Sequence, residues 1–235
     1  MTIRAERFAQ LFRITAEGTG ARAWMGIVYG LYAGRLNACE FESLYEGAIA
    51  LDEEWIRLIL LADDTSHARA RQSEFQSDPV LDAVTLGERK SMARRLDLDL
   101  LERLAKDSEP SVIRILLGNP KLTEPLVLRM ISLRPHRAAV LKEIACQPRW
   151  LNRATVRRAL VLNPYTPVRL AMLLCPLLDE GTAREVNDAL NLHPGLRRLA
   201  RGLLEIRPHP RIFRNNHAHD EASEPTTLDA YLIDL

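Results

Sequence analysis

Features that mark several common protein classes are scarce in this chain of 235 residues. Only three cysteines occur, Cys39, Cys146 and Cys175, and they are widely separated in largely apolar surroundings. Secreted disulfide-stabilised domains have dense cysteine frameworks, so we expect a reducing cytosol and three small, buried cysteine side chains. Residues 1–7 lack the apolar core of a signal peptide. No apolar run approaches the ~20 residues of a membrane helix, which predicts a cytoplasmic protein without a membrane partner.

Catalytic and cofactor motifs are also missing. The sequence has no His-Glu-x-x-His zinc motif, no Gly-x-Ser-x-Gly turn and no phosphate-binding loop. Gly-Thr-Gly-Ala-Arg-Ala at 18–23 resembles a dinucleotide-binding fingerprint, but the segment before it has helical spacing, so we interpret it as a helix–helix turn. His209, His217, His219 and Asp220 lie in a polar tail without an ordered second shell, which indicates adventitious metal binding only. We expect no enzymatic activity, no resident metal and no cofactor.

Strand signals are few, whereas helical spacing recurs along the chain. Trp24, Ile27, Val28 and Leu31 fall at i, i+3, i+4 and i+7, which is one face of a helix. Similar spacing predicts further helices near 8–14, 40–50, 55–60, 137–146 and 182–190. The predicted fold class is therefore all-α.

The middle of the chain contains a repeat with an offset of 44 residues. Ser-Val-Ile-Arg-Ile-Leu-Leu-Gly-Asn-Pro at 111–120 corresponds to Thr-Val-Arg-Arg-Ala-Leu-Val-Leu-Asn-Pro at 155–164, and a weaker third copy follows. Because proline disfavours the α conformation in the preceding residue, each helix is predicted to end at Asn-Pro. The hydroxyls of Thr123 and Thr166 are predicted to cap the next helix, with Pro167 at a first helical position. Such helix pairs bury their apolar faces by stacking, which predicts a solenoid.

This repeat resembles the leucine-rich repeat variant family of HEAT-like α-solenoids. The residues that carry the resemblance lie at 104–123, 144–148 and 156–167. It covers about residues 90–205 and departs from the family by a four-residue insertion near 149–152. The resemblance implies a HEAT-like solenoid. Some members hold an iron–sulfur cluster on N-terminal cysteines, but only Cys39 is present there, so that cofactor is not expected.

These patterns divide the chain into four parts. Residues 1–64 are predicted to form a small N-terminal helical region, 65–80 a polar linker or mobile loop, and 81–207 the solenoid domain. Residues 208–235 are predicted to form an acidic, flexible tail. The tail contains Leu-Asp-Ala-Tyr-Leu-Ile-Asp-Leu, an acidic and apolar segment suited to binding a groove.

The charges of these parts differ in sign. Residues 1–80 contain 8 basic and 12 acidic side chains, 81–207 contain 22 and 14, and 208–235 contain 2 and 5. Within 110–178, 11 basic side chains accompany only two acidic ones. We regard this basic stretch as the main functional signal of the sequence.

The predicted binding surface lies in the basic stretch. Arg149, Arg153 and Arg157 are four residues apart, so on one helix they share a face beside Trp150. The predicted binding residues are Arg134, Arg137, Arg149, Trp150, Arg153 and Arg157. Guanidinium groups bind carboxylates and phosphates through paired hydrogen bonds, and Trp150 either stacks on a ligand or belongs to the core between repeats.

Two functions fit this surface. One is a non-catalytic adaptor that docks an acidic protein partner, or the chain's own acidic tail as an inhibitory lid. The other is a nucleic-acid-binding protein whose arginines contact phosphates, against which stand a near-neutral total charge and few aromatics. HEAT-like DNA glycosylases use an aspartate on a basic face, but this chain has none between Asp107 and Asp179. In a third interpretation the arginines are structural, and Arg114 and Arg158 bridge neighbouring helix ends.

Overall fold

The computed structural model describes residues 2–32, 38–62, 64–68 and 78–206. Across these ranges the chain is all-helical, with an isolated bridge between Ser66 and Pro167 as the one β-type pairing. The helices are α1 (Thr2–Ala16), α2 (Ala21–Tyr32), α3 (Ala38–Ala50), α4 (Glu54–Leu61), α5 (Pro79–Asp82), α6 (Leu86–Met92), α7 (Leu98–Leu104), α8 (Pro110–Leu117), α9 (Glu124–Ser132), α10 (Ala138–Ala145), α11 (Pro148–Leu151), α12 (Ala154–Val161), α13 (Val168–Leu174), a 3₁₀ turn (Cys175–Leu177), α14 (Glu180–Asp188) and α15 (Pro194–Ile206). The predicted all-α class is confirmed for this part of the chain, and none of its helices is long and apolar enough to cross a membrane.

Side-chain caps explain where several of the helices begin. Before α6, the Thr85 hydroxyl accepts from the Glu88 N–H, while the Glu88 carboxylate accepts from the Thr85 N–H at 2.9 Å. The Glu88 carboxylate also accepts from the Thr85 hydroxyl at 2.7 Å, and the hydrogen bonds from this hydroxyl and from the Thr85 N–H lower the pKa of Glu88. Asp97 and Asp179 accept in the same way from the first N–H groups of α7 and α14. The caps satisfy donors that a helix leaves open at its first turn.

The two Asn-Pro pairs end α8 and α12 as predicted, but the threonine caps were predicted wrongly. Thr123 is the N-cap residue of α9, yet its side chain makes no capping hydrogen bond. The buried Thr166 hydroxyl donates to the Leu160 carbonyl at 2.6 Å instead. Pro167 is the N-cap of α13 rather than its first residue. A buried hydroxyl needs a partner, and for Thr166 that partner is a carbonyl of the preceding helix.

Helices α8 and α12 occupy corresponding places in the two copies, and each packs against three other helices. α8 packs against α6, α7 and α10, and α12 packs against α9, α11 and α13. Arg114 on α8 forms an ion pair with Glu143 on α10, and Arg158 on α12 forms one with Glu185 on α14. The Glu143 carboxylate raises the pKa of Arg114. These arginines join neighbouring helices through carboxylates, not through carbonyls.

The N-terminal helices pack on α13, α15 and the 3₁₀ turn. Trp24 on α2 is fully buried against Phe8 and Phe12 of α1, with ring centroids 5.1 and 5.6 Å apart. Its indole N–H donates to the carbonyl of Leu173 on α13 at 2.6 Å. One continuous apolar core therefore joins the N-terminal helices to the repeats.

Three glycines meet requirements that other residues meet poorly. Gly18 and Gly20, at φ 99° and 74°, form the turn between α1 and α2, which confirms the interpretation of that motif. On α15, Gly202 packs against the Trp55 ring of α4, where an added Cβ would lie 2.2 Å from a ring carbon. This close approach fixes α15 against the N-terminal helices.

The segment 64–68 lies along the second Asn-Pro loop, with an isolated β-bridge between Ser66 and Pro167. The N–H of Val168 donates to the Thr65 carbonyl at 2.9 Å, and the N–H of Ala68 donates to the Pro164 carbonyl at 2.9 Å. Asp64 forms an ion pair with Lys142 of α10. Part of the predicted linker thus contacts the repeats. Its residues 69–77 lie outside the described part, as does the predicted tail 208–235 with its histidines.

One cysteine differs from the prediction. Cys175 is buried, but Cys146 is exposed. Cys146 is the C-cap residue of α10, where the chain leaves the helix and turns toward Pro148. Desolvation and the nearby Glu143 raise the pKa of the Cys146 thiol, which makes it a poor nucleophile at neutral pH.

Candidate docking surface at the first Asn-Pro loop

Arg149, Arg153 and Arg157 do not share one helix, so the predicted common face is wrong. The predicted insertion near 149–152 forms a separate four-residue helix, α11, with Asn152 as its C-cap. Arg153 follows in extended conformation, at φ −84° and ψ 126°, and is the N-cap of α12. The extended residue changes the chain direction between the two helices.

Trp150 belongs to the core between the copies. Its side chain is 1% exposed, and its indole N–H donates to the Leu117 carbonyl at the end of α8 at 2.9 Å. The guanidinium carbons of Arg149 and Arg153 lie 4.5 and 5.3 Å from the ring centroid. Of the two predicted roles for Trp150, the structure supports core packing, because cations and protein cover the ring that a ligand would need.

The guanidinium of Arg149 holds the first Asn-Pro loop. It donates to the carbonyls of Asn119 and Leu122 at 3.1 and 3.3 Å, while the residue remains exposed to solvent. Arg153 forms an ion pair with Glu124 at the start of α9. The side chains of α11 and the N-cap of α12 therefore reach back to the preceding copy.

Arg157 has a local structural role. It donates to the carbonyls of Leu151 and Asn152 at 3.1 and 2.7 Å and so caps α11. Partial burial lowers the pKa of Arg157. Its hydrogen bonds direct the guanidinium toward the backbone rather than toward solvent.

Arg134 and Arg137 lie elsewhere, in the connection between α9 and α10. Arg134 is exposed and precedes Pro135. Arg137 is partly buried and is the N-cap residue of α10. The structure thus gathers four of the six predicted residues around α11 and places these two apart from them.

Asn119 organises the first Asn-Pro loop from within. This asparagine is 3% exposed, and its amide donates to the carbonyls of Ala93 and Arg95 at 2.9 and 2.8 Å. Its side-chain oxygen accepts from the Lys121 N–H at 2.9 Å. One amide therefore ties the end of α6 to the loop that joins α8 and α9.

Asn163 does the same at the second Asn-Pro loop. It is 2% exposed, donates to the Ile131 carbonyl at 2.5 Å, and accepts from the Tyr165 N–H at 2.9 Å. The sequence indicated both asparagines only as helix stops. Their amide contacts join residues 24 to 32 positions apart, which local spacing does not reveal.

Four exposed cations surround Asn119, and we call them the Asn119 edge: Arg94, Arg95, Lys121 and Arg149. The hydrogen bonds of Asn119 bring together the backbone of Arg95 and Lys121 and the guanidinium of Arg149. Arg94 donates to the Lys90 carbonyl. Within the described residues, none of these four cations forms an ion pair with a carboxylate.

Many other cations of the basic stretch are neutralised by acidic side chains. The ion pairs are Arg114–Glu143, Arg129–Glu102, Lys142–Asp64, Arg153–Glu124 and Arg158–Glu185. These acids come partly from outside the stretch, which is why its high net charge in sequence does not become one large basic face. Within the described residues, the four cations of the Asn119 edge are not neutralised in this way.

Apolar side chains adjoin this edge. Leu96 follows Arg95 directly and is 59% exposed, and Leu98 at the start of α7 is 54% exposed. Sequence reasoning missed Arg94 and Arg95 because the basic window began at 110. The run Arg94-Arg95-Leu96, placed directly after α6, was the signal that could have found them.

A second polar site is a cleft of about 300 Å³ beside α5, α6 and α7. Four of its charged side chains form ion pairs: Arg89 with the buried Asp107 at 2.8 Å, and Arg103 with Asp78 at 3.1 Å. Desolvation opposes the shift, but hydrogen bonds from the Val80 N–H and from Arg103 lower the pKa of Asp78. In the described ranges, no group of three His, Cys, Asp or Glu side chains is placed to hold a metal ion.

Known proteins give no further guide to the site. No protein-family model, curated protein or solved structure matches this chain. The resemblance to leucine-rich repeat variants therefore stays a prediction from sequence. Functional inference depends on the geometry of the Asn119 edge itself.

Proposed function

We propose that this protein is a non-catalytic adaptor that docks an acidic segment of a protein partner on the Asn119 edge. The observation that carries the proposal is the group of four exposed cations that have no carboxylate partner within the described residues and lie around one buried asparagine. Backbone carbonyls hold the guanidinium groups of Arg94 and Arg149, so these two lose little freedom on binding a carboxylate.

We also propose that the two copies are units of a HEAT-like α-solenoid. Support comes from Arg114 and Arg158, which each form an ion pair with a glutamate, and from the buried Asn119 and Asn163. The two arginines are 44 residues apart, and so are the two asparagines. In such an arrangement successive Asn-Pro loops follow one another along one edge. That edge would present a series of docking positions.

The composition of the edge favours a peptide over a nucleic acid. Leu96 and Leu98 offer apolar contact next to the cations, which suits a segment of mixed acidic and apolar residues. Single-stranded nucleic acids rely on exposed aromatic rings for stacking, and Trp150 is buried. Phosphate binding alone would still use the same cations.

Fluorescence anisotropy with the full chain tests this function. The probes are a labelled peptide of alternating acidic and leucine residues and a labelled single-stranded DNA of equal charge, each titrated across a salt series. We expect the peptide to bind more tightly. The double variant R95E/K121E should weaken peptide binding about tenfold, or about 1.4 kcal/mol, since two favourable charge contacts become repulsive.

The matched control is Lys106→Glu with a second reversal at Arg22, which gives the same change of net charge at exposed positions away from the edge. It should leave peptide affinity nearly unchanged. Tighter binding of DNA with a steep salt dependence would replace the adaptor by the nucleic-acid alternative. Equal loss in both double variants would show that only total charge matters.

A further inference from the structure

The second Asn-Pro loop already binds a short, bent segment of this chain through an isolated β-bridge. Residues 65–68, Thr-Ser-His-Ala, pair with it through two backbone hydrogen bonds, from Val168 N–H to Thr65 and from Ala68 N–H to Pro164. The ring of His67 in this segment lies 5.5 Å, edge to face, from that of His193. This arrangement shows what kind of ligand such a loop accepts.

The first Asn-Pro loop offers the same backbone groups. The positions 44 residues before Val168 and Pro164 are Glu124, the first residue of α9, and Pro120. Within the described residues, the Glu124 N–H and the Pro120 carbonyl take part in no hydrogen bond. A helix leaves its first N–H groups without partners inside the helix. The Glu124 N–H is therefore an available donor, and the Pro120 carbonyl an available acceptor, for a docked peptide segment.

The side chain beside the loop differs in charge between the copies. His193 contacts the docked segment at the second loop, and the residue 44 positions earlier is Arg149, which binds the first loop directly. A segment docked there in the same register would place its third residue near Arg149. An acidic residue is favoured at that place because the Asn119 edge is positively charged.

One segment of this chain outside the described residues has this pattern. Residues 227–230 read Thr-Leu-Asp-Ala, which matches Thr-Ser-His-Ala at 65–68 in its first and last residues and has Asp229 in third place. The tail 208–235 contains five acidic against two basic residues, so its charge is opposite to that of the edge. Thr-Ile-Arg-Ala at 2–5 shares the spacing but would set Arg4 against Arg149.

The tail is long enough for this contact. About twenty residues separate Ile206 from Thr227, and an extended chain of that length spans up to roughly 70 Å. A compact body of about 200 residues has a radius of gyration of only roughly 17 Å. Residues 227–230 therefore reach any exposed loop of the same molecule.

We propose that residues 227–230 dock on the first Asn-Pro loop of the same chain in the register in which 65–68 pair with the second loop. Thr227 accepts from the Glu124 N–H, Ala230 donates to the Pro120 carbonyl, and Asp229 faces Arg149. The tail then occupies the edge that acidic partners use and competes with them. This inference rests on the proposed function for its consequence, but the contact itself is tested separately.

Photo-crosslinking in the full chain tests the contact. A benzoylphenylalanine at position 228, which corresponds to Ser66, should crosslink within one chain to residues near Thr123, the counterpart of Pro167 in the Ser66 bridge. Glu124→Pro removes the backbone donor while proline suits a first helical position, and it should lower the yield about fivefold. Glu124→Ala keeps the donor and loses the same carboxylate, so it should crosslink normally.

Charge is tested in the same assay. Asp229→Lys should lower the crosslink yield, whereas Asp234→Lys, with the same change of net charge outside the register, should not. Crosslinks spread over other surfaces, crosslinks between two chains, or equal yields in E124P and E124A would overturn the proposal. If one of these outcomes occurs while R95E/K121E still weakens peptide binding, the proposed docking function is kept. Only the proposal that the tail binds the first Asn-Pro loop is then refuted.

Discussion

Single residues decide how the basic stretch behaves, and their partners are largely remote in sequence. Arg149 binds the backbone of a loop 30 residues earlier, and Asn119 binds carbonyls 24 and 26 residues earlier. Spacing along the chain identified Arg149 as one of a group, but the direction of its side chain depends on tertiary packing. The buried Trp150 shows the same limit, since sequence left its two roles open.

At the residue scale, His136 should make stability depend on pH. The ring is buried, and its Nε2–H donates to the Met130 carbonyl at 2.9 Å. Burial lowers the pKa of His136 below its usual 6.5, so the unfolded chain binds a proton more readily than the folded one. Stability is therefore full above pH 6.5 and falls as the pH decreases below it, by on the order of 1 kcal/mol per pH unit at most.

Urea unfolding at pH 7.5 and 5.5, in wild type and His136→Gln, measures this effect. The free energy of unfolding should fall less between the two pH values in the variant. His193, whose pKa is lowered by burial and by His67, adds a similar dependence to both proteins and cancels in the comparison. An identical fall in the two proteins would refute the assignment to His136.

At the scale of helices and loops, local rules predicted most of the architecture. The spacing of apolar residues located the helices, and the Asn-Pro pairs located the ends of α8 and α12. The rules failed where a helix is very short. The spacing of Arg149 and Arg157 predicts that they share one face of a single helix. In the structure, Asn152 and the extended Arg153 divide this segment into α11 and α12.

The two asparagine loops should contribute strongly to stability. Asn119→Ala leaves two carbonyls and one N–H without their partner, and Asn163→Ala leaves a carbonyl and an N–H. Each should lower the free energy of unfolding by about 2–3 kcal/mol, because unsatisfied buried polar groups are costly. The exposed Asn152→Ala serves as the control and should change it by less than about 0.5 kcal/mol.

Chemical denaturation of the three variants under one condition checks this expectation. Similar small losses in all three would contradict the organising role of Asn119 and Asn163. A loss confined to Asn119→Ala would mean that the segment 64–68 compensates at the second loop, where it supplies additional backbone hydrogen bonds.

In the whole molecule, ion pairs leave fewer cations available for binding than the net charge of the basic stretch indicates. The sequence showed an excess of nine positive charges across 110–178, but acids from α7, α14 and the segment 64–68 neutralise part of it. The exposed cations that form no ion pair within the described residues include Arg94 and Arg95, which lie outside that window. Composition therefore indicated correctly that charge is uneven, and only the folded chain locates the unpaired cations.

The most direct test of the docking surface is NMR mapping of the full chain with the acidic leucine-containing peptide. Amide shifts should concentrate at Arg95, Lys121 and Glu124, since these residues adjoin the peptide in the proposed site. They should be absent around Lys106, at the opposite end of α8. Shifts centred on the cleft at Lys106 and Asp107, or no shifts under conditions where anisotropy reports binding, would contradict the Asn119 edge as the docking surface.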